Sequence, residues 1–166
     1  NGNWGFKYGN RKGVVINARA ESITSRPMFK NSIYGARCII PANGFYEWKD
    51  VGYRKKAKYK IGLQDSDLIS LGGIYKISMD ENRRKQLTFV IITTEAEGDL
   101  QSIHSRMPLI IKDEAPKLWL DKNTSLELIE RILKSNNGNK LAIERCEEDE
   151  ATRNVKGEYY EQLKMF

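Results

Sequence analysis

The sequence has one histidine, two cysteines and no long apolar run. A single imidazole, His104, cannot build a His-rich zinc site. Cys38 and Cys146 lack the close spacing of a metal knuckle or a redox pair, and reduced thiols are the expected state in a cytoplasmic chain. We therefore expect no metal and no cofactor.

Membrane-spanning and targeting segments are also missing. The longest apolar candidates, Thr88–Thr94 and Met107–Ile111, are strand-sized, whereas a membrane span needs about 18 residues. Asn1–Asn10 has no basic start followed by an apolar block, so we expect no signal peptide. We predict a soluble cytoplasmic protein without membrane contact. The 166 residues suit one domain over 1–166, expected to be a monomer.

Charge is moderately positive and unevenly distributed. There are 28 Lys and Arg residues against 22 Asp and Glu, a net charge of +6. Lys49–Lys60 carries six basic residues and one acid, Asp50, with Tyr53 and Tyr59 interleaved. Such interleaving favours a nucleic-acid surface. A second basic cluster, Arg83–Lys85, is interpreted as a solvated hairpin tip.

Hydrophobic patterning predicts a mixed α+β domain in which strands dominate. We expect a curved, barrel-like, mostly antiparallel sheet with a few short helices. Strands are predicted at Val14–Ala18, Ala36–Ile40, Phe45–Lys49, Lys58–Leu63, Leu68–Tyr75, Gln86–Thr93 and Leu109–Ile111. Helices are predicted over Glu114–Leu120 and through Leu126, Ile129, Ile132 and Leu133, with Thr124 or Ser125 as the N-cap of the second and Asn136–Gly138 as its stop.

Polar residues alternate where the first predicted strand ends. Asn17, Arg19 and Glu21 would project to one face. An amide and a guanidinium fork on one face can hold a phosphate or sugar oxygen. A surface salt bridge between Arg19 and Glu21 is an equally good explanation of this spacing.

A carboxylate stands inside an aromatic strand. Glu47 lies between Tyr46 and Trp48. Aromatic walls would remove water and raise the pKa of this carboxyl, which could then act as acid or base near neutral pH. The alternative is an edge-strand glutamate that faces solvent and pairs with Lys49 or Lys60.

The histidine precedes an arginine and a proline. The backbone before Pro108 should be extended, so His104 and Arg106 would share a face. A titratable imidazole beside a fixed cation suits proton transfer next to a phosphate. The alternative is a hydrogen-bonded structural histidine.

Three motifs in this order resemble the SRAP (SOS response-associated peptidase) family. They are Asn-Ala-Arg-Ala-Glu, then Arg-Cys-Ile-Ile-Pro-Ala-Asn-Gly-Phe-Tyr-Glu-Trp-Lys, then Ile-His-Ser-Arg-Met-Pro. Trp4-Gly5 and Trp119-Leu120 resemble flanking family segments. The resemblance covers Trp4–Leu120, and Glu147–Phe166 is only faintly similar to the family's C-terminal strand and tail.

The resemblance implies a sensor of abasic sites in single-stranded DNA. Proteins of this family form a Schiff base and then a thiazolidine with the abasic sugar through an N-terminal cysteine, and the same site would process its own N-terminus as an autopeptidase. Carried over, Glu47 is the acid/base, His104 is the second proton-transfer group, and Asn17 positions the sugar or the amine.

The resemblance also implies DNA contacts. Arg19 and Arg106 would hold flanking phosphates, Trp4 would shape the DNA cleft, and Lys49–Lys60 would attract the backbone. The expected partner is single-stranded DNA with an abasic site.

The family's nucleophile has no counterpart in this sequence. The chain begins Asn1-Gly2, whereas the family begins Met-Cys-Gly, so we expect a fragment that lacks the nucleophile. Two other hypotheses stay open. One is a non-catalytic single-stranded nucleic-acid binding module. The other is a thiol hydrolase that uses Cys38 or Cys146 with His104 as base.

Overall fold

The computed structural model describes residues 2–7, 13–79, 82–135 and 138–146. Its strands are β1 (Gly2–Trp4), β2 (Phe6–Lys7), β3 (Val14–Val15), β4 (Asn17–Arg19), β5 (Arg37–Ala42), β6 (Phe45–Asp50), β7 (Lys56–Leu63), β8 (Ile69–Met79), β9 (Lys85–Glu95), β10 (Arg106–Pro108) and β11 (Leu141–Arg145). Its helices are α1 (Pro27–Gly35), α2 (Ala115–Leu120) and α3 (Leu126–Leu133), with 3-10 turns at Ala20–Ser22 and Gly98–Ser102.

The main sheet is organised around β9, which has neighbours along both edges. β8 and β10 pair with β9 in antiparallel register, and β5 continues the sheet beyond β8. β1 and β4 pair with β9 in parallel register. The sheet curls into a half-barrel with few helices, so the predicted curved, barrel-like, mostly antiparallel α+β fold is confirmed.

A second sheet has the order β11-β7-β6, and β2 pairs with β3 separately. β6 and β7 form a hairpin with uninterrupted antiparallel register. Gly44, just before β6, has φ +152, and a Cβ there would lie 2.6 Å from the carbonyl oxygen of Ile61. The close approach of the Asn43-Gly44 turn to β7 therefore requires a glycine.

Two hydrophobic clusters hold these layers together. One packs the helices against the main sheet and includes Phe29, Ile33 and Trp119. The other joins the two sheets and includes Ile61 of β7 and Met107 of β10. The second cluster fixes β6 relative to the end of β9, and the candidate site lies at that junction.

The sequence-based assignment missed α1, β1, β2 and β11 and misplaced one strand. Pro27 occupies the first turn of α1, and Phe29 and Ile33 are buried four residues apart, so a helical signal was present. The strand predicted at Leu109–Ile111 lies at Arg106–Pro108, and Ile110 makes only an isolated bridge to Leu71. The predicted tail similarity at Glu147–Phe166 and the predicted stop at Asn136 lie outside the described residues.

Arg37 is buried, and each of its three guanidinium nitrogens donates at least one hydrogen bond. Its Nε donates to the carbonyl of Trp119 at 2.6 Å, and Nη1 donates to the carbonyls of Ile33 and Tyr34 at 2.8 and 2.9 Å. Nη2 donates to the carbonyl of Asp121. These carbonyls belong to the ends of α1 and α2, where helices leave acceptors unsatisfied. Arg37 therefore ties two helix ends to β5.

Candidate functional site

Three predicted site residues form a row along one edge of β9. Trp4, Asn17 and Arg19 lie opposite every second residue of β9, from Phe89 to Thr93. Side chains two residues apart on a strand share a face, and successive steps are about 6.6 Å. The row therefore lies on one face of the main sheet. The indole N–H of Trp4 donates to the carbonyl of Ile16 at 2.9 Å, which holds the half-exposed ring beside β4.

Arg106 reaches the same face from the opposite edge of β9. It lies opposite Glu95 in β10, two positions beyond Thr93. Its Nη1 and Nη2 contact the two carboxylate oxygens of Glu21 at 2.7 and 3.0 Å, and Nη2 donates to the carbonyl of Thr93 at 2.6 Å. Glu21 thus pairs with Arg106. The sequence analysis had considered a salt bridge between Glu21 and Arg19 instead.

The bidentate pair keeps Glu21 ionised. Its hydrogen bond from Arg106 is the largest influence and lowers the pKa of the Glu21 carboxyl, against a smaller upward effect of burial. Sequence reasoning gave Glu21 no role beyond a possible salt bridge, and it missed Thr93 altogether. The contacts of Glu21 and Thr93 with Arg106 cannot be predicted without knowing how the strands pair.

The imidazole of His104 lies against the backbone of Arg106, the residue with which it was expected to share a face. The backbone N–H of Arg106 donates to Nδ1 of His104 at 3.1 Å. Nδ1 accepts this hydrogen bond in the tautomer of the neutral imidazole that carries its proton on Nε2. The carbonyl of Arg106 also lies 3.1 Å from Nδ1, so a protonated ring has an acceptor at the same place. The geometry serves both protonation states.

Glu47 lies next to this histidine. Its Oε2 is 3.8 Å from Nδ1 of His104, and the residue is only 3% exposed. Burial raises the pKa of Glu47 to about 7, and the backbone N–H of Trp48 acts in the opposite direction. The solvent-facing alternative for Glu47 is therefore wrong, and a carboxyl that titrates near neutral pH stands beside an imidazole.

The expected cause of this burial was also wrong. Strand alternation puts Tyr46 and Trp48 on the face of β6 opposite to Glu47. The residue directly across from Glu47 is Tyr59 of β7, which packs against the cluster that joins the two sheets. Water is excluded by that cluster and not by the sequence neighbours, one of which, Tyr46, lies 4.2 Å beneath the ammonium of Lys58.

Four buried polar atoms of this region have no hydrogen-bond partner within the described part of the chain. They are Nδ2 and Oδ1 of Asn17, Oε1 of Glu47 and Nε of Arg106. Buried polar groups are nearly always paired, and an unpaired group destabilises the fold unless something binds it. All four atoms belong to residues that the motifs single out. They are donors and acceptors available to a polar ligand.

The cysteines do not complete a nucleophilic site. Cys38 lies in β5 opposite Gly73, and burial raises the pKa of its thiol to about 11. A thiol of this kind is inert at neutral pH, which argues against the thiol-hydrolase hypothesis. Cys146 follows β11 as a free thiol. Among residues 2–7, 13–79, 82–135 and 138–146, no cluster of His, Cys, Asp and Glu could hold a metal ion, and no helix is long and apolar enough to cross a membrane.

Comparison with known proteins places this chain in a family. The model of the family described as "SOS response associated peptidase (SRAP)" matches residues 3–149. The chain belongs to the SRAP family. Its motifs at Asn17–Glu21, Arg37–Lys49 and Ile103–Pro108 all lie within the matched range.

Individual SRAP relatives agree with this membership. The chain is 40% identical over 120 residues to the Bacillus subtilis abasic site processing protein YoaM, covering 72% of this chain and 53% of that protein. It is 32% identical over 123 residues to the Escherichia coli abasic site processing protein YedK, covering 74% and 54%. A crystal structure of a Bacteroides thetaiotaomicron protein superposes with a TM-score of 0.75 at 32% identity, covering 80% of this chain and 59% of that one. The chain thus spans about half the length of the curated relatives it matches.

Proposed function

We propose that the chain carries the proton-transfer site of an abasic-site processing protein that captures baseless sugars in single-stranded DNA. The observation that carries this proposal is the buried carboxyl of Glu47, with a pKa of about 7, 3.8 Å from Nδ1 of His104. The unpartnered amide of Asn17 and the names of the SRAP relatives support it.

Ring opening of the abasic sugar needs two proton movements. The anomeric hydroxyl must lose a proton while the ring oxygen gains one, which leaves an open-chain aldehyde. Glu47, whose pKa burial raises to about 7, lies beside the imidazole of His104, so one group can donate a proton as the other accepts one. The net proton count of the pair is unchanged by the step. Asn17, whose amide donor and acceptor have no partner among the described residues, would hold the sugar hydroxyls.

Covalent capture would use an N-terminal cysteine supplied by the complete protein. The α-amine adds to the aldehyde and one water leaves, giving an imine. The thiol then adds to the imine carbon and closes a thiazolidine ring, so that the sugar and the cysteine join with the loss of one water. Glu47 in its acid form would protonate the departing hydroxyl. Self-processing of the N-terminus would use the same acid/base pair to hydrolyse the peptide bond before the cysteine: one water adds to the carbonyl carbon, the C–N bond breaks, and the α-amine of the cysteine leaves with a proton while a new carboxylate forms.

Phosphates on either side of the abasic sugar would lie along the face of the main sheet that carries Trp4, Asn17 and Arg19. Arg19 is exposed and suits a phosphate contact. Arg106 is buried against Glu21, so its unpartnered Nε is the donor that it would offer. Trp4, at the start of the row and half exposed, would contact the strand beside the abasic sugar.

The test is covalent cross-linking with the protein expressed from its complete reading frame. The protein is incubated with single-stranded DNA that bears one abasic site, and a heat-stable band shift is measured. We expect a shift that Glu47→Ala and His104→Ala slow strongly, while Arg84→Ala, a surface cation far along the chain, changes little. Absence of any shift with protein that binds DNA would defeat the covalent proposal.

A second candidate is a single-stranded nucleic-acid binding module without chemistry. The ammonium of Lys58 over the ring of Tyr46 at 4.2 Å, on an outward face of the small sheet, favours it. Under this candidate, intact and abasic DNA bind alike and no heat-stable product forms. Equal small effects of Glu47→Ala, His104→Ala and Arg84→Ala on DNA affinity, with no heat-stable product from any of the proteins, would select it.

A further inference from the structure

The turn between β6 and β7 has an unusual backbone. Gly52, Tyr53 and Arg54 have φ values of 86, 51 and 59, three left-handed residues in succession of which two are not glycine. The Oδ1 of Asp50 accepts the N–H of Gly52 at 2.8 Å. Lys55 closes the turn, with its carbonyl 3.1 Å from the N–H of Val51 and its N–H 2.9 Å from the carbonyl of Gly52. The turn is a defined structure held in a strained conformation, and such strain often accompanies function.

This turn displays an aromatic ring among uncompensated cations. Tyr53 is 99% exposed. Arg54, Lys55 and Lys56 follow it, all exposed, and no ion pair to any of the three occurs in the described part of the chain. The nearby acid, Asp50, is engaged with the backbone of the turn. We name Val51–Lys56 the 51–56 tip.

The tip is rigidly connected to the proposed site. β6 carries Glu47 on its inner face and runs without interruption to Asp50, about 10 Å further along the strand. A strand of DNA whose abasic sugar lay at Glu47 would therefore have to extend by a few nucleotides to reach Tyr53. Three clustered cations beside an exposed ring match the chemistry of a nucleic-acid strand, which offers phosphates and a π-face at every nucleotide.

We propose that the 51–56 tip is a second contact for single-stranded DNA, in which Tyr53 stacks on a base a few nucleotides from the lesion and Arg54, Lys55 and Lys56 contact phosphates. The proposal takes its ligand from the proposed function but concerns binding outside the Glu47 site. Since stacking and phosphate contact do not need a lesion, the tip would bind intact strands as well as abasic ones.

The tip of the β8–β9 hairpin provides a matched control. Arg83, Arg84 and Lys85 also place three cations at a hairpin end, and Arg83 has φ 57, like Arg54 at 59. Two triple variants remove the same charge with residues that tolerate the same backbone. They are Arg54→Asn with Lys55→Gln and Lys56→Gln, and Arg83→Asn with Arg84→Gln and Lys85→Gln.

The experiment measures the affinity of each protein for intact single-stranded DNA of about 15 nucleotides, a length within the usual site sizes, as salt is varied. We expect the 51–56 tip variant to bind at least about 10-fold more weakly. The slope of log affinity against log salt concentration should be shallower by about 2, because each phosphate contact on a single strand contributes about 0.7 to that slope. The β8–β9 variant should change affinity less than about 2-fold. Tyr53→Asn should bind about 5-fold more weakly or worse, whereas Tyr53→Phe should match the unmodified protein.

Oligonucleotide length separates this surface from the Glu47 site. A trinucleotide with a central abasic site, held at Glu47 by that sugar, is too short to reach the tip, so all variants should cross-link it alike. Equal losses for the two triple variants, or equal losses on both lengths, would overturn the tip contact. If binding to intact DNA depends on the tip and yet no heat-stable product forms with abasic DNA, the proposed chemistry fails and the tip contact stands. The reverse result, cross-linking with no dependence on the tip, overturns only the tip contact.

Discussion

Arg37 and the group around Glu47 are two buried polar regions built in opposite ways. The guanidinium of Arg37 donates four hydrogen bonds to helix-end carbonyls. Around Glu47, buried polar atoms of Asn17, Glu47 and Arg106 lack partners in the described part of the chain. A satisfied buried group stabilises one conformation, whereas an unsatisfied one reduces stability and is available to a ligand. The contrast separates a residue that stabilises the fold from residues to which the proposed function assigns chemistry.

Arg37→Met should produce the largest change in stability. Four carbonyls would lose their donor, and a buried acceptor without a partner destabilises by about 1–3 kcal/mol. Because the helix ends can partly relax, we expect the free energy of unfolding to fall by about 3 kcal/mol or more in urea denaturation. Arg131→Met is the control, since Arg131 makes only an exposed i,i+4 pair with Glu127 and should change stability by less than about 0.5 kcal/mol. Similar values for both variants would contradict the structural role of Arg37.

The pH dependence of stability should carry the signature of Glu47. Its pKa is about 7 in the folded protein against a usual value of 4.5, so the folded state binds the extra proton between these limits. Stability should therefore fall as pH rises from about 4.5 to about 7, by about 3 kcal/mol in total from this group. Urea midpoints across this range, compared with Glu47→Gln, test it. The variant should lack this decline, and an unchanged profile would show that Glu47 is not the titrating group.

Catalytic loss without structural loss should mark the Glu47 region. Glu47→Gln and His104→Gln should each slow cross-linking by about 100-fold or more, since a positioned acid or base typically contributes that much. At neutral pH, Glu47→Gln should leave the free energy of unfolding unchanged or raise it, because a buried ionisable group is removed. Single-turnover rates and urea denaturation on the same samples measure both quantities. A strong loss of stability with normal cross-linking would reverse the assignment and make Glu47 structural.

The smallest effect should come from Glu21, and its sign should be opposite to that of Glu47. Arg106 lowers the pKa of the Glu21 carboxyl, so its stabilising contribution is present above the usual value of 4.5 and is lost as pH falls below it. The carboxylate is half exposed, so solvent screening should keep the contribution below about 1 kcal/mol. Glu21→Gln should flatten only the acid limb of the stability profile. If Glu21→Gln instead flattened the stability profile between about pH 4.5 and 7, Glu21 and not Glu47 would be the carboxyl that titrates there.

Local patterns predicted much of the fold and part of the site. Ser125 was one of two expected N-caps of α3, and its Oγ accepts the N–H of Leu128 at 3.4 Å. Glu47 was expected to have a raised pKa, and it does, although its water is excluded by the cluster between the sheets. His104 and Arg106 lie together as their spacing predicted, but the extended segment predicted between them was wrong, because the chain bends at Ser105 and Nδ1 of His104 accepts the backbone N–H of Arg106.

Long-range pairing decided what the sequence could not show. Trp4, Asn17 and Arg19 come into one row because two short strands pair in parallel with β9, and no local periodicity encodes that register. The partner of Glu21 is Arg106, 85 positions away, whereas the nearer Arg19 was the obvious candidate from spacing. Helix α1 was missed because its apolar face is short, although Pro27 in its first turn is a helix-start signal.

The most direct measurement is the titration of the Glu47 carboxyl by carbon-13 NMR, with Glu47→Gln used to assign the signal. We expect a pKa near 7 in the free protein. Single-stranded DNA with a stable tetrahydrofuran abasic analogue should shift that value, whereas the same strand with every base intact should not. A Glu47 pKa near the ordinary 4.5, or one that responds equally to both strands, would contradict a buried carboxyl reserved for the baseless sugar.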